Sequence, residues 1–369
     1  MKKLSYTILF FMIIVVFGIA TLIMPKQTIS EREQRTLNQF PKLLPQALAS
    51  GLFQEQSEKA LSDQFFLRNG FVQTQRKLLR FFGIRMINNV WITEDQLYQN
   101  SAGADSKMIA ELSEVLNDFA LKHKQLRFDF LLIPTANGII KNSLFPSLYE
   151  TQRKDIHTLS EQLAEPYHTL DTLSVMDQHK DAYIYYKGDH HWTTLGAYTM
   201  FEAWQKQRGL NDQIEYEAIS VNDAFYGTLA NASGMDIKDR IEIYQPKQSD
   251  IKAMVTYVQE QKRTATIYDQ TKQYGSNPYE IFLGGNFERI DIKTTAENER
   301  SLLLVKDSYA NCFLPFLLAH YHKIIMIDPR FYYDALDEVI KEEQISDVMF
   351  LLNAYTLFHD SSLLNLMKQ

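Results

Sequence analysis

The sequence predicts an α/β protein in which helices enclose a parallel sheet, with one membrane-spanning helix in front of it. Three observations support this prediction. From residue 301 onward apolar strand-like runs alternate with helical runs, another apolar strand at Arg127–Ile133 stops at Pro134, and the amino terminus is long and uncharged. Strands that alternate with helices form parallel sheets, because each crossover packs a helix against the sheet.

The amino terminus predicts a membrane anchor. Lys2 and Lys3 precede Leu4–Met24, a run without any charged residue. At about 1.5 Å per helical residue, such a run crosses a hydrocarbon core of roughly 30 Å. The paired lysines are expected to stay cytoplasmic, so the rest of the chain is expected outside. A cleaved signal peptide is the alternative, since Gly18–Ala20 fits a small-x-small site, but the apolar run continues past it.

These features divide the chain into two parts. We predict a cytoplasmic tip and signal-anchor over 1–27 and one extracytoplasmic domain over 28–369, located at the cell membrane. The 369 residues are 45% hydrophobic, which is enough for a large core, and the net charge of −7 disfavours a nucleic-acid binder. The single cysteine, Cys312, excludes an intramolecular disulfide and a multi-cysteine zinc site.

The elements of the domain follow from spacing and composition. We predict a tether or early helix over 27–44, and leave 205–300 without an assignment because it lacks the alternation. The predicted helices are 61–82, 106–124, 194–208, 310–319 and 333–343. The predicted strands are 127–133, 301–305, 323–327 and 347–352, with 183–186 extended.

Three predicted loops leave strands at their carboxyl ends: Pro134–Gly138, Lys306–Ser308 and Asn353–Tyr355. In parallel sheets these ends share one edge, and the chemistry of such folds is located there. We therefore expect the functional side chains to come from these loops.

The segment Gly188-Asp189-His190-His191-Trp192 follows the predicted extended segment and precedes a helix. In an extended chain, residues two apart project to the same side, so Asp189 could hold one nitrogen of His191 and free the other as a general base. The alternative is that Asp189 only caps the helix. A metal site would need further ligands, since adjacent histidines point apart, and we predict no metal and no cofactor.

Ser308 lies where a buried strand turns into a helix, a position that presents a nucleophile to a cleft. The helix amino terminus also offers N–H groups to an oxyanion. The alternative is an ordinary helix cap, and the neighbouring Asp307 would oppose an oxyanion unless it points away. Cys312, one turn further on among apolar residues, is expected to be a buried and unreactive thiol.

Other candidates come from the remaining loops and from aromatic residues. Asn353 ends the last strand and is a candidate oxyanion donor, although it could simply end a strand. Asn137, in the loop after Pro134, is a candidate for substrate binding. Trp192 and Tyr186 could stack on sugar rings, or could equally pack in the core.

The motif Asp189-His190-His191-Trp192, with the following Thr193–Tyr198, resembles the DHHW protein family, and Lys306-Asp307-Ser308-Tyr309 matches it as well. Weaker matches are Glu31–Leu37 and Phe225–Leu229. This family is similar to periplasmic alginate O-acetylation proteins with SGNH-hydrolase-like domains. The resemblance implies an SGNH-hydrolase-like fold and a triad in which Asp189 orients His191, His191 is the general base and Ser308 is the nucleophile.

The resemblance also implies an activity. It indicates an O-acetyltransferase that moves an acetyl group through Ser308 to a hydroxyl of a cell-surface polysaccharide. The implied partners are the polysaccharide acceptor, a membrane-bound O-acyltransferase that supplies acetyl, and the membrane itself through residues 4–24, with no nucleic acid. Two alternatives remain at this stage: a carbohydrate esterase of the same fold, and a membrane-anchored glycan-binding or scaffold protein without turnover.

Overall fold

The structure is a computed structural model that describes residues 2–30, 35–43, 45–210, 214–248 and 251–369. Part of the predicted tether, 31–34 and 44, lies outside the described residues, and so does most of the weak match at 31–37. The rest of that segment contains a short antiparallel pair of strands.

The helices are listed here in chain order. They are α1 Lys2–Ile23, α2 Pro45–Ala49, α3 Leu52–Gln64, α4 Arg68–Phe81, α5 Ser106–Lys122, α6 Ala136–Ile139, α7 Pro146–Gln162, α8 Thr172–Gln178, α9 Thr194–Arg208, α10 Thr228–Ser233, α11 Ala310–Leu317, α12 Leu336–Glu342, α13 Ala354–His359 and α14 Ser362–Met367. Two 3₁₀ turns cover Gln270–Lys272 and Pro278–Ile281.

The strands follow in the same order. They are β1 Ile29–Ser30, β2 Arg35–Thr36, β3 Met86–Ile87, β4 Val90–Ile92, β5 Leu97–Gln99, β6 Arg127–Ile133, β7 Tyr167–Thr169, β8 Tyr216–Phe225, β9 Asp239–Pro246, β10 Ala253–Tyr257, β11 Lys262–Thr264, β12 Arg289–Thr294, β13 Ser301–Lys306, β14 Lys323–Ile327 and β15 Asp347–Asn353.

The central sheet has the strand order β11-β10-β12-β14-β13-β15-β6-β7. Strands β14, β13, β15, β6 and β7 pair in parallel, which confirms the predicted parallel sheet. The prediction was incomplete at one side, because β12, β10 and β11 extend the sheet with antiparallel pairs. All three come from the part of the chain that lacked a readable alternation.

The core explains why the parallel strands were readable. Every residue of β13 and β15 is buried, and successive residues of a strand point to opposite faces. Both faces of the sheet are therefore covered, which produces the continuous apolar runs seen in the sequence. The antiparallel strands bury alternate residues instead, as in β12, and so gave a weaker pattern.

The register aligns the ends of three parallel strands. Asn353 at the end of β15 pairs with Ile133 at the end of β6, and Lys306 at the end of β13 pairs with Leu351. Ser308 follows two residues after β13, and the next strand, β14, is followed by Asp328. The carboxyl edge of the sheet therefore gathers the loops that the sequence singled out.

The amino-terminal region differs in one respect from the prediction. The single helix expected over 61–82 is two helices, α3 and α4, because the chain turns between them with Leu67 in the left-handed region at φ 59°. Helix α1 is long and apolar enough over Tyr6–Ile23 to cross a membrane. Such a helix is consistent with either a membrane anchor or a signal sequence.

Candidate active site

Two side chains of one motif and a third from 117 residues further along the sequence form one hydrogen-bonded chain. The Nδ1 atom of His191 lies 2.6 Å from Oδ1 of Asp189, and its Nε2 atom lies 2.8 Å from Oγ of Ser308. A carboxylate can only accept, so Nδ1 carries the proton and Nε2 accepts from the serine hydroxyl. The arrangement can therefore take a proton from Ser308 and return it.

The carboxylate of Asp189 is held from both sides. Oδ1 accepts the backbone N–H of His191 at 2.9 Å, so the two residues meet across a tight turn and not along an extended strand. Oδ2 accepts the N–H and the hydroxyl of Thr228, at 2.7 and 3.0 Å. Burial alone would raise the pKa of Asp189, but the charges of His190 and His191 outweigh it and hold this pKa below its usual value.

Gly227 makes room for this arrangement. A Cβ atom on Gly227 would lie 2.3 Å from Cβ of Asp189 and 2.5 Å from the carbonyl oxygen of Gly188. Those distances are shorter than real carbon contacts, so no side chain fits there without movement. Thr228, the first residue of α10, can approach Asp189 only because its predecessor is glycine.

The two histidines do not point apart as the sequence suggested: the His190 ring lies beside that of His191, with centroids 3.9 Å apart, and bonds to Thr228. Its Nδ1 atom lies 2.7 Å from the Thr228 hydroxyl, which donates to Asp189 and accepts from this histidine. Burial and the neighbouring His191 lower the pKa of His190 to about 4. Asp189, His190 and His191 also place possible metal-ligand atoms within 4.8 Å of one another. Both oxygens of Asp189, both ring nitrogens of His191 and the Nδ1 atom of His190 are engaged in hydrogen bonds.

The turn that carries Ser308 is fixed by Asp307. One carboxylate oxygen of Asp307 accepts the backbone N–H of Tyr309 at 2.9 Å, and the other accepts from Asn353 at 2.6 and 2.8 Å. Burial raises the pKa of Asp307, while these hydrogen bonds oppose the shift. The carboxylate is thus directed toward β15 and away from the serine hydroxyl.

The oxyanion role expected for Asn353 does not fit this geometry. Its amide nitrogen donates to Asp307 and also, at 2.9 Å, to the hydroxyl of Thr356, so both of its hydrogens are engaged. Its Oδ1 accepts the Thr356 N–H and caps α13. The backbone N–H of Ser308, by contrast, has no acceptor among the described residues.

Three expected substrate-binding residues also prove to be buried. Trp192 and Tyr186 have no exposed surface, and the Trp192 indole donates to the carbonyl of Tyr309 at 3.0 Å. Asn137 is buried and donates to the carbonyl of Gln99 at 2.8 Å. These side chains are therefore structural supports in this arrangement, because none of them reaches a surface where a sugar could bind.

Sequence reasoning missed Tyr279. Its ring stacks on His191 with centroids 3.9 Å apart, and its hydroxyl donates to the carbonyl of Ser308 at 3.0 Å. Tyr279 thus holds the imidazole and the serine turn together. No signal in the sequence pointed to it, because it lies in a 3₁₀ turn of the uninterpreted region. Thr228 was also missed, although it lies in the segment Phe225–Leu229 that supported the family resemblance.

Beside the serine turn lies a buried charge network. The Lys306 amine contacts Oδ1 of Asn286, Oδ1 of Asn311 and Oδ2 of Asp328, at 3.0, 3.1 and 3.3 Å. Arg330 donates twice to Asp328, at 2.8 and 2.6 Å. Burial lowers the pKa of Lys306 and would raise that of Asp328, but the two cations outweigh burial and lower the latter.

Comparisons with known proteins agree with this architecture. A DHHW family protein from Eubacterium siraeum is 22% identical with a TM-score of 0.65, covering 77% of this chain and 96% of that chain. PatB1 from Bacillus cereus, with a sulfonyl adduct, is 20% identical with a TM-score of 0.61, covering 74% and 96%. The O-acetyltransferase domain of Pseudomonas putida AlgJ is 15% identical with a TM-score of 0.45, covering 76% and 98%. No protein with a curated description matches the chain.

The first two likenesses show the same α/β fold that the sequence predicts. The sequence pattern of the family described as DHHW protein matches residues 86–327, a range that includes the motif at 189–192 and Ser308. This match spans more than half of the 369 residues, and the chain therefore belongs to the DHHW protein family.

Proposed function

We propose that this protein is a membrane-anchored, extracytoplasmic O-acetyltransferase that transfers an acetyl group through Ser308 to a hydroxyl of a cell-surface polysaccharide. The observation that carries the proposal is the hydrogen-bonded chain from Asp189 through His191 to Ser308. The acetyl group and the polysaccharide come from the resemblance of its motifs to the alginate O-acetylation proteins.

The proposed mechanism follows from these hydrogen bonds. His191 takes the proton of the Ser308 hydroxyl as Oγ attacks the acetyl carbonyl, and Asp189 stabilises the imidazolium that forms. The leaving group departs with that proton and leaves an acetyl ester on Ser308. His191 then takes a proton from the acceptor hydroxyl, which attacks the ester and carries the acetyl away. His191 finally returns the proton to Ser308.

The developing oxyanion needs donors that are not already engaged. The backbone N–H of Ser308 meets this condition, and it lies just before α11, whose amino-terminal end adds a partial positive charge. Asp307 does not oppose the oxyanion, because Tyr309 and Asn353 hold its carboxylate. We therefore assign the first oxyanion donor to this N–H in place of the Asn353 amide.

The membrane part of the proposal is based on α1. The apolar window Tyr6–Ile23 lies in the helix that begins at Lys2, and an anchor with the paired lysines in the cytoplasm would hold the catalytic domain outside the cell. A membrane-bound O-acyltransferase could then pass acetyl groups to Ser308 at the membrane surface. The domain boundary at residue 28 belongs to this proposal.

Intact-mass spectrometry of the full-length protein with an activated acetyl ester tests the reaction. We expect one acetyl group, located on Ser308 by peptide mapping, and none in Ser308→Ala or His191→Ala. Ser233→Ala is a matched control, because this buried hydroxyl bonds the carbonyls of Leu229 and Ala230 within its own helix. Release of acetyl to an oligosaccharide faster than to water supports transfer.

Two outcomes contradict the proposal. Equally fast release into water without an acceptor indicates an esterase of the same fold. A wild-type protein that neither carries acetyl nor turns over the ester, and behaves like both active-site variants, indicates a glycan-binding or scaffold protein.

A further inference from the structure

Helix α4 has three distinct sides. At 3.6 residues per turn, the apolar residues of one side align in a stripe that runs from Leu67 just before the helix to Phe82 just after it. The stripe consists of Leu67, Phe71, Leu78, Phe81 and Phe82, and these side chains are between 52 and 83% exposed. A second side faces the domain, where Leu79 packs against the small core beneath β4 and β5. The third side carries Lys77 and Arg80.

The stripe is continuous with α1. The ring of Phe17, in the last third of α1, lies 6.0 Å from Phe65, 5.6 Å from Phe66 and 5.9 Å from Phe71. The hydroxyl of Thr21 accepts the backbone N–H of Phe66 at 3.0 Å. Phe17 lies six residues before the end of α1, about 9 Å along the helix axis. The start of α4 therefore lies at the depth of the outer turns of that apolar helix.

The charge of this region differs from that of the whole chain. Residues 64–93 contain five basic residues and no acidic residue, although the chain as a whole has a net charge of −7. The basic residues are Arg68, Arg76, Lys77, Arg80 and Arg85. An amphipathic helix with aromatic and aliphatic residues on one side and basic residues on the polar side is typical of the boundary between headgroups and acyl chains.

We propose that the stripe from Leu67 to Phe82 lies in the surface of the lipid bilayer, with Lys77 and Arg80 on anionic headgroups. This inference rests on the proposed role of α1 as a membrane anchor. The stripe then forms a second attachment, parallel to the bilayer, beside the spanning helix. One such contact would fix how the domain is oriented on the membrane, which a single spanning helix leaves free.

This orientation brings the active site close to the bilayer. The side of α4 opposite the stripe faces a cleft lined by Arg76, Thr228 and Asn231, and Arg76 donates to the carbonyl of Ala232 at 3.2 Å. Thr228 in turn bonds Asp189. The lipid surface and the carboxylate are thus separated by α4, whose diameter is roughly 10 Å, by this cleft and by the start of α10. An acyl group delivered at the membrane would have a short path to the site.

Site-specific fluorescence in lipid nanodiscs tests the proposal on the full-length chain. A polarity-sensitive NBD label is placed on Phe81→Cys, or on Phe82→Cys as a second position. Cys312 does not compete for the label, because it is completely buried. Tyr274→Cys is the matched control, since Tyr274 and Phe81 are both 83% exposed and only Phe81 belongs to the stripe. Ile13→Cys reports on the anchor.

In nanodiscs with anionic lipids we expect doxyl lipids to quench the Phe81→Cys label at least about twofold more than the Tyr274→Cys label, and iodide to do the reverse. Adding Lys77→Glu and Arg80→Glu should remove most of this difference. Water-like quenching at both Phe81→Cys and Phe82→Cys, with Ile13→Cys in lipid, overturns the proposal and assigns the stripe to a protein partner. Water-like quenching at Ile13→Cys refutes the anchor itself, so the two failures are distinguishable.

Discussion

The hydroxyl of Thr228 provides a sharp test of how the site is organised. Thr228→Val removes this hydroxyl and keeps the shape of the side chain. The variant loses the 3.0 Å bond to Oδ2 of Asp189 and the 2.7 Å contact with Nδ1 of His190. Asp189 keeps three donors: the N–H of residue 228, and the N–H and Nδ1–H of His191.

The expected loss of turnover follows from the number of hydrogen-bond donors that Asp189 keeps. A hydrogen bond to a charged group contributes about 1.5–3 kcal/mol. If all of it were lost only in the transition state, turnover would fall by a factor of roughly 10–150. Because three of the four donors remain, we expect a value toward the lower end. Thr228→Ser restores the hydroxyl and should recover most of the activity.

The assay is turnover of an activated acetyl ester, measured beside thermal unfolding. Thr172→Val is the matched control, because this buried hydroxyl donates to the carbonyl of Leu132 at 2.6 Å and makes no contact with the three site residues. We expect Thr172→Val to lose about 1 kcal/mol of stability and to keep the wild-type activity. If Thr228→Val keeps wild-type turnover and only unfolds earlier, its hydroxyl does not support the carboxylate and the reasoning is refuted.

Three further predictions follow from the surroundings of the site. Gly227→Ala should lose about 1–3 kcal/mol of stability and most turnover, because the new Cβ meets Asp189. The control Gly70→Ala has open space around it and should keep the stability and the turnover of the wild type. Equal denaturation midpoints for the two variants would contradict this prediction. Burial raises the pKa of Cys312 to about 12, so the native thiol should resist DTNB at pH 8 and react on unfolding; fast reaction of the native protein would refute it. Lys306→Met should lower the free energy of unfolding in chemical denaturation by about 3–5 kcal/mol, because it leaves the buried carboxylate of Asp328 with one cation fewer. An unchanged midpoint would show that the amine contributes nothing to stability.

The local sequence pattern was sufficient to predict an element or a site residue where the element is fully buried or the residues are chemically distinctive. The strands β13, β14 and β15 were predicted to within one residue, because burial on both faces demands unbroken apolar runs. The pairing of Asp189 with His191 was also predicted, although the structure achieves it through a tight turn. The candidate Ser308 followed from its place at the end of a strand, and the fold brings it to His191.

The errors arose where the sequence gives a residue type without its surroundings. Trp192 and Tyr186 are aromatic whether they stack on a sugar or fill a core, and only their complete burial distinguishes the two. Asn353 has an amide suited to an oxyanion, but its hydrogens are engaged by Asp307 and Thr356. Hydrogen-bond partners from distant segments cannot be inferred from one side chain alone.

The sequence by itself determined the parallel core of the sheet, the apolar amino-terminal helix and the residues of the motif, because each of these depends on the order of neighbouring residues. Only the tertiary structure decided that Thr228 supports Asp189, that Tyr279 stacks on His191, and that an apolar stripe continues from α1 along α4. The contacts that build the site join residues far apart in the sequence: Thr228 lies 39 residues from Asp189, and Ser308 lies 117 residues from His191. Their energies depend on distance and burial in space, which no local periodicity encodes.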